Sequence, residues 1–191
     1  MGTYVLGLDP GFAKVGWALV ELLPEGERFL RMGVWETKKS VKKRNVRVAD
    51  DNYQRAQILG DSLDICICDM KFPIRVVAVE SMSFPRSASA AAKMALFWGV
   101  LAEQCRREFL PLVASTPQEL KKAVCGVGSA SKEEIQQALL SYFDDPLLTK
   151  THLEMAKTKR EHPFDALGAV VAARNSEVFK MARPKRRSPR R

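Results

Sequence analysis

Asp9, Glu80, His162 and Asp165 are the residues whose types and placement could do chemistry together. Asp9 closes the apolar run Tyr4-Val5-Leu6-Gly7-Leu8, and Glu80 closes Ile74-Arg75-Val76-Val77-Ala78-Val79. A carboxylate that ends a buried strand must find water, a cation or a metal. If the two strands run side by side and parallel, both acids emerge at one carboxyl edge, where open α/β sheets place their sites. Strand periodicity turns Val5, Gly7 and Asp9 to one face and Leu6 and Leu8 to the other. In Glu161-His162-Pro163-Phe164-Asp165, Pro163 suits the first position of a helix, which makes His162 the N-cap and Asp165 the third helical residue. Spaced by three, His162 and Asp165 share a helix face and can converge on one point.

Three carboxylates and an imidazole form a donor set for Mg²⁺ or Mn²⁺. Two such ions, about 3.5–4 Å apart, can activate a water and stabilise the leaving oxygen in phosphodiester hydrolysis. Each residue also has an ordinary reading: Asp9 as a turn residue before Pro10-Gly11, Asp165 as an acid favoured by the helix dipole, His162 as a solvated cap.

The elements that must position these residues follow from the apolar pattern. Runs at 4–9, 15–23 and 28–37, joined by short turns, predict an antiparallel meander. From Ala49, the positions Tyr53, Ala56, Leu59, Leu63, Ile67 and Met70 step by three or four, as on an amphipathic helix. A buried strand at 74–80, a long helix at 87–109 and a short strand at 110–114 come next. Thr116-Pro117-Gln118-Glu119 and Ser131-Lys132-Glu133-Glu134 carry capping-box chemistry. A polar stretch over 144–161 leads to a last helix from Pro163 to about Met181. The expected architecture is α/β, a five-stranded mixed sheet flanked by helices, in one domain over 1–182 with a disordered basic tail at 183–191.

The formal charge of +9 is unevenly placed. Segments 38–47 and 183–191 each hold six basic residues and no acid, and without them the remainder carries −3. Such patches suit a polyanion. No lipidation motif or basic amphipathic helix favours a membrane, no apolar run approaches the roughly 18–20 residues of a membrane span, and Asp9 comes too early for a signal peptide. A cytoplasmic setting is expected. Cys66, Cys68, Cys105 and Cys125 lack zinc-module spacing and read as reduced thiols.

Leu6-Gly7-Leu8-Asp9-Pro10-Gly11 with Gly16, Val77-Ala78-Val79-Glu80, the stretch from Thr116-Pro117-Gln118-Glu119 through Lys121, Lys122 and Gly126-Val127-Gly128 to Ser131-Lys132, and His162-Pro163-Phe164-Asp165-Ala166-Leu167-Gly168 together resemble the RuvC family of Holliday-junction resolvases, in the RNase H-like superfamily. The resemblance implies an RNase H-like fold and a homodimer that binds four-way DNA junctions and nicks two opposed strands, using Mg²⁺ or Mn²⁺, two ions per site. It implies that Asp9, Glu80 and Asp165 are metal-binding carboxylates, with His162 where many members have a further Asp. Glu161 is a rival ligand. Lys121 and Lys132 match basic positions near the scissile phosphate, and Lys122 accompanies them. Phe84, one place later than the family's usual aromatic position, and its neighbour Arg86 are expected to meet the junction centre. The helix at 87–109 is the expected dimer surface, with Phe97 or Trp98 as anchor.

Three other readings compete. A broader branched-DNA nuclease would use the same residues, and a non-catalytic junction binder would have no need of acids beside phosphates. An actin-like ATPase half would share Asp9-x-Gly11 with Gly16, but that fold needs two such domains around a nucleotide, and 191 residues are too few. No nucleotide cofactor is expected.

Overall fold

The computed structural model describes residues 2–40, 47–68, 71–82 and 87–185. Phe84, Arg86, most of the basic 38–47 segment and residues 186–191 lie outside the described residues.

Alternation along β1 (Thr3–Asp9) sets the two faces of the sheet. Val5 joins one apolar cluster, while Leu6 and Leu8 join the other. β2 (Lys14–Leu23) and β3 (Gly26–Glu36) complete the expected meander, with β1 and β2 antiparallel and β2 and β3 antiparallel. α1 (Val48–Ile67) then carries the chain to β4 (Ile74–Glu80), which pairs parallel to β1. α2 (Ala88–Arg107) leads to β5 (Leu112–Ser115), parallel to β4, and the strand order is β3-β2-β1-β4-β5. The mixed five-stranded sheet is as the apolar pattern requires.

Leu6, Leu8, Val77 and Val79 pack against Leu59, Leu63, Phe97 and Leu101 of α1 and α2. Burying side chains of this size contributes about 1.5–3 kcal/mol each. Phe97 is fully buried in this layer and so does not anchor a partner, whereas Trp98 packs against the layer and is only partly buried. A bulky apolar residue on the inward face of an amphipathic helix is claimed first by the chain's own sheet.

The opposite face is covered by α3 (Pro117–Cys125), α4 (Lys132–Phe143), α5 (Pro146–Glu154), α6 (Lys157–Ala173) and α7 (Glu177–Ala182). Both expected capping boxes form, at Thr116/Glu119 and Ser131/Glu134. The polar stretch at 144–161 is not a connection: Asp145 caps α5, accepting from the N–H groups of Leu147 and Leu148, with Pro146 at the first turn.

The last helix also differs from expectation. α6 starts at Lys157, so Pro163 lies inside it and His162 is not its N-cap. Arg160 explains part of this early start, because its guanidinium donates to Met155 O at 2.8 Å and ties the added turn to the end of α5. Helical structure then breaks after Ala173, and Ser176 caps the separate α7. Arg183 is not part of a free tail either. It donates to Leu23 O and Gly26 O at 2.9 and 2.7 Å, pairs with Glu27 and lies over the Phe179 ring.

Candidate active site

β1 and β4 run parallel with Leu8 opposite Val79, so their next residues, Asp9 and Glu80, leave the sheet together. Both belong to the alternate set that faces α6, with Val5 and Gly7 in one strand and Val76 and Ala78 in the other.

α6 reaches this edge because two glycines let it. A Cβ on Gly7 would stand 2.2 Å from Ala166 O, and one on Gly16 would stand 2.1 Å from His162 O. No other residue allows the helix backbone to lie on the sheet this closely. Residues 162, 166 and 170 thus form the contact stripe, and His162 and Asp165 arrive above Asp9 and Glu80. His162 and Asp165 thus share the helix face turned to the acids, although His162 lies inside α6 and is not its N-cap.

His162 Nδ1 lies 2.6 Å from Asp9 Oδ2. Asp9 can only accept when ionised, so Nδ1 carries the proton, and in the neutral ring Nε2 keeps the free lone pair. The hydrogen bond to Asp9 holds the imidazole above its ordinary range, against burial. Asp165 is almost fully enclosed, with 7% of its side chain exposed, and its Oδ2 accepts from Lys132 Nζ at 2.5 Å. Burial pushes the Asp165 carboxyl up to about 6 despite the opposite pull of Lys132. Burial works against the Lys132 ammonium, but its bonds to Asp165 and Glu161 prevail and push it up to about 12. Glu80 is pushed up to about 7, by burial first and then by Asp9 and Asp165.

Two of the three carboxylates therefore each face a nitrogen side chain, and the third is poised near neutrality. Among the described residues, no three metal-ligating groups are drawn closely enough to hold an ion as they stand. The electrostatics nevertheless fit a divalent cation: the cluster has more acid than its own cations neutralise, and oxygen donors suit Mg²⁺ or Mn²⁺.

The raised Glu80 has a consequence for stability. Its folded value lies above the ordinary 4.5, so its contribution is full below that value and is lost as pH rises through about 7. In metal-free protein at pH 8, Glu80→Gln is expected to stabilise the fold by about 1–2 kcal/mol, after allowance for partial exposure. The gain should be absent near pH 4, grow up to pH 7 and then level off. Thermal melts in EDTA across this range check it.

The loop after Asp9 is fixed by a residue that the sequence reading passed over. Arg55 of α1, buried, donates to Phe12 O at 3.2 Å and to Thr37 Oγ1 at 3.0 Å, and its guanidinium lies over the Phe12 ring. Thr37 Oγ1 also donates to Phe12 O, at 2.6 Å. The available signal was an arginine four residues before Leu59, within the apolar stripe of α1.

Of the basic residues expected near phosphate, Lys132 stands inside the acid cluster. Lys121 acts on Cys125 and Glu134, and Lys122 and Glu119 line two pockets beyond the end of β5, one with Ser115 and the other with Thr116. Gly126 is the C-cap of α3, so the Gly126-Val127-Gly128 stretch is a helix-ending turn.

A family model described as "Crossover junction endodeoxyribonuclease RuvC" matches residues 5–171. The chain belongs to the RuvC family. A RuvC of Synechococcus sp. (strain CC9605) is 30% identical over 171 residues, covering 88% of this chain and 94% of the relative. The solved structure of Thermus thermophilus RuvC in complex with Holliday junction substrate aligns with a TM-score of 0.69 at 21% identity, over 88% of this chain and 91% of that one. The yeast mitochondrial Holliday junction resolvase Ydc2 aligns with a TM-score of 0.64 at 10% identity, over 93% and 79%. At such identities the structural matches establish a shared fold. As a RuvC-family member, this chain is a crossover junction endodeoxyribonuclease, a DNA hydrolase of a family expected to use divalent metal.

Proposed function

We propose that this RuvC-family chain resolves four-way DNA junctions by paired symmetric nicks, working as a homodimer with one acid cluster per protomer. The observation that carries the reading is the convergence of Asp9, Glu80, His162 and Asp165 at the carboxyl edge of β1 and β4. These four residues would hold Mg²⁺ or Mn²⁺, two ions per site. Bound there, the metal supplies Lewis acidity toward the phosphodiester and the attacking water. The protein's own part is to orient the His162 ring through Asp9, to exclude bulk water from Asp165, and to present Lys132 to the phosphate. An imidazole is a softer ligand than a carboxylate, which favours Mn²⁺ over Mg²⁺ relative to an all-carboxylate site.

Phe84, Arg86, Lys121 and Lys122 are the proposed DNA contacts around the site, with Phe84 stacking at the junction centre. The proposed dimer surface is the outer side of α1 and α2, where Tyr53, Ile58 and Leu96 are exposed beside a shared groove. A cytoplasmic setting belongs to the same reading.

Cleavage of an end-labelled four-way junction tests it. No product is expected in EDTA, and with Mn²⁺ two nicks related by the symmetry of the junction. Cutting of linear duplex at comparable rate, or no cutting with either metal, would overturn the proposal.

A further inference from the structure

Lys132 has two anionic acceptors where one would neutralise it. Its Nζ lies 2.5 Å from Asp165 Oδ2 and 3.2 Å from Glu161 Oε1. The two acids are four residues apart on α6, so they share a face with about 6 Å of rise between them. Asp165 is the inner acceptor, and Glu161, with 54% of its side chain exposed, is the outer one at the rim. Lys132 opens α4, whose first turn is fixed by the Ser131/Glu134 capping box. Its backbone is therefore held, and the flexible four-carbon stem is the part that can swing.

A divalent cation on Asp165 repels the ammonium that Lys132 holds 2.5 Å from Oδ2 and weakens that bond. Resting on the reading of Asp165 as a metal ligand, we propose that Glu161 is a positioning residue that takes over Lys132 when a divalent cation takes Asp165. The ammonium then stays at the mouth of the site and is not released to water.

Two effects follow. Metal entry no longer strands a half-buried ammonium without a partner, so displacement costs less. The charge also remains where a phosphate of the substrate arrives, held by an exposed and therefore weak ion pair. Transfer of Lys132 from Glu161 to phosphate is correspondingly easy. Asp165 serves these purposes less well, because a buried acceptor holds the ammonium against the metal.

Mn²⁺ affinity of the full chain, read without DNA from the spin-resonance signal of free Mn²⁺, separates the alternatives. Glu161→Gln is expected to weaken Mn²⁺ binding about fivefold when Lys132 is present and by less than about twofold in a Lys132→Gln background, a coupling usual for contacting charges. Equal weakening in both backgrounds would make Glu161 a direct metal ligand, and no weakening in either would make it an ordinary surface acid; each result overturns the proposal. Asp165→Asn is measured alongside. If it binds Mn²⁺ as the parent chain does, the assignment of Asp165 fails, whereas weak binding by that variant with an unchanged Glu161→Gln sinks only the role of Glu161.

Discussion

Asp165→Asn is expected to abolish junction cleavage while leaving junction binding intact. A metal ligand contributes several kcal/mol to charge stabilisation in the transition state, and about 4 kcal/mol corresponds to a loss on the order of 10³-fold. The fold should tolerate the change. Asp165 is buried and its carboxyl is already pushed up to about 6, so an uncharged side chain of the same shape is a mild replacement. Binding to DNA should hold or tighten slightly, since one negative charge beside the phosphates is removed. Single-turnover cleavage and gel shift on one labelled junction check both halves. Retained cleavage would refute the assignment of Asp165.

The second large effect is expected at a residue that has no side chain, Gly16, the β2 partner of Asp9. In Gly16→Ala the new methyl would stand 2.1 Å from His162 O and 2.2 Å from its carbonyl carbon. Both are backbone atoms, so a rotamer change cannot relieve the clash and α6 must lift. Overpacking of this sort costs about 1–3 kcal/mol. A displacement of about 1 Å at the reacting groups can cost on the order of 10²-fold in rate. Gly16→Ala should therefore lose both stability and cleavage, because the lifted residue is His162 itself. Gly7→Ala meets Ala166 O at 2.2 Å, one helical turn beyond His162 and next to Asp165, and should likewise lose both stability and cleavage. Gly60→Ala in α1 meets only a Val100 methyl at 3.4 Å and serves as the neutral or mildly stabilising control. Melting temperature and single-turnover rate, measured together on the three variants, check the ranking.

The sheet and the acids at its edge were legible because β-strand alternation and strand ends are local properties. Leu6 and Leu8 against Val5 and Gly7 gave the two faces, and Asp9 and Glu80 fell on the side that α6 covers. The two capping boxes were legible for the same reason, being complete within four residues each. What sequence periodicity missed was decided by tertiary contacts. Pro163 reads locally as a helix start, yet Arg160 secures an earlier turn against the end of α5. Phe97 reads equally well as an anchor for a partner or as core, and the sheet takes it. Lys132 reads as an exposed lysine at a helix start, and only the arrival of α6 shows that it faces two acids. The importance of Arg55 depends on three segments meeting, which no window of sequence contains.

The docking of Arg183 beside Leu23 and Gly26 also determines how the molecule can be handled. Leu22 pairs with Thr3 at the start of β1, whereas Asp9 pairs with Gly16 at its far end, about 20 Å along the strand. The chain thus enters its first strand and leaves its last helix on the side turned away from the acids. A dye, a fused reporter or a surface tether joined near residue 2 or after Lys185 would start from that rear side. A protein anchored in this way would turn its acidic edge outward, toward DNA supplied in solution.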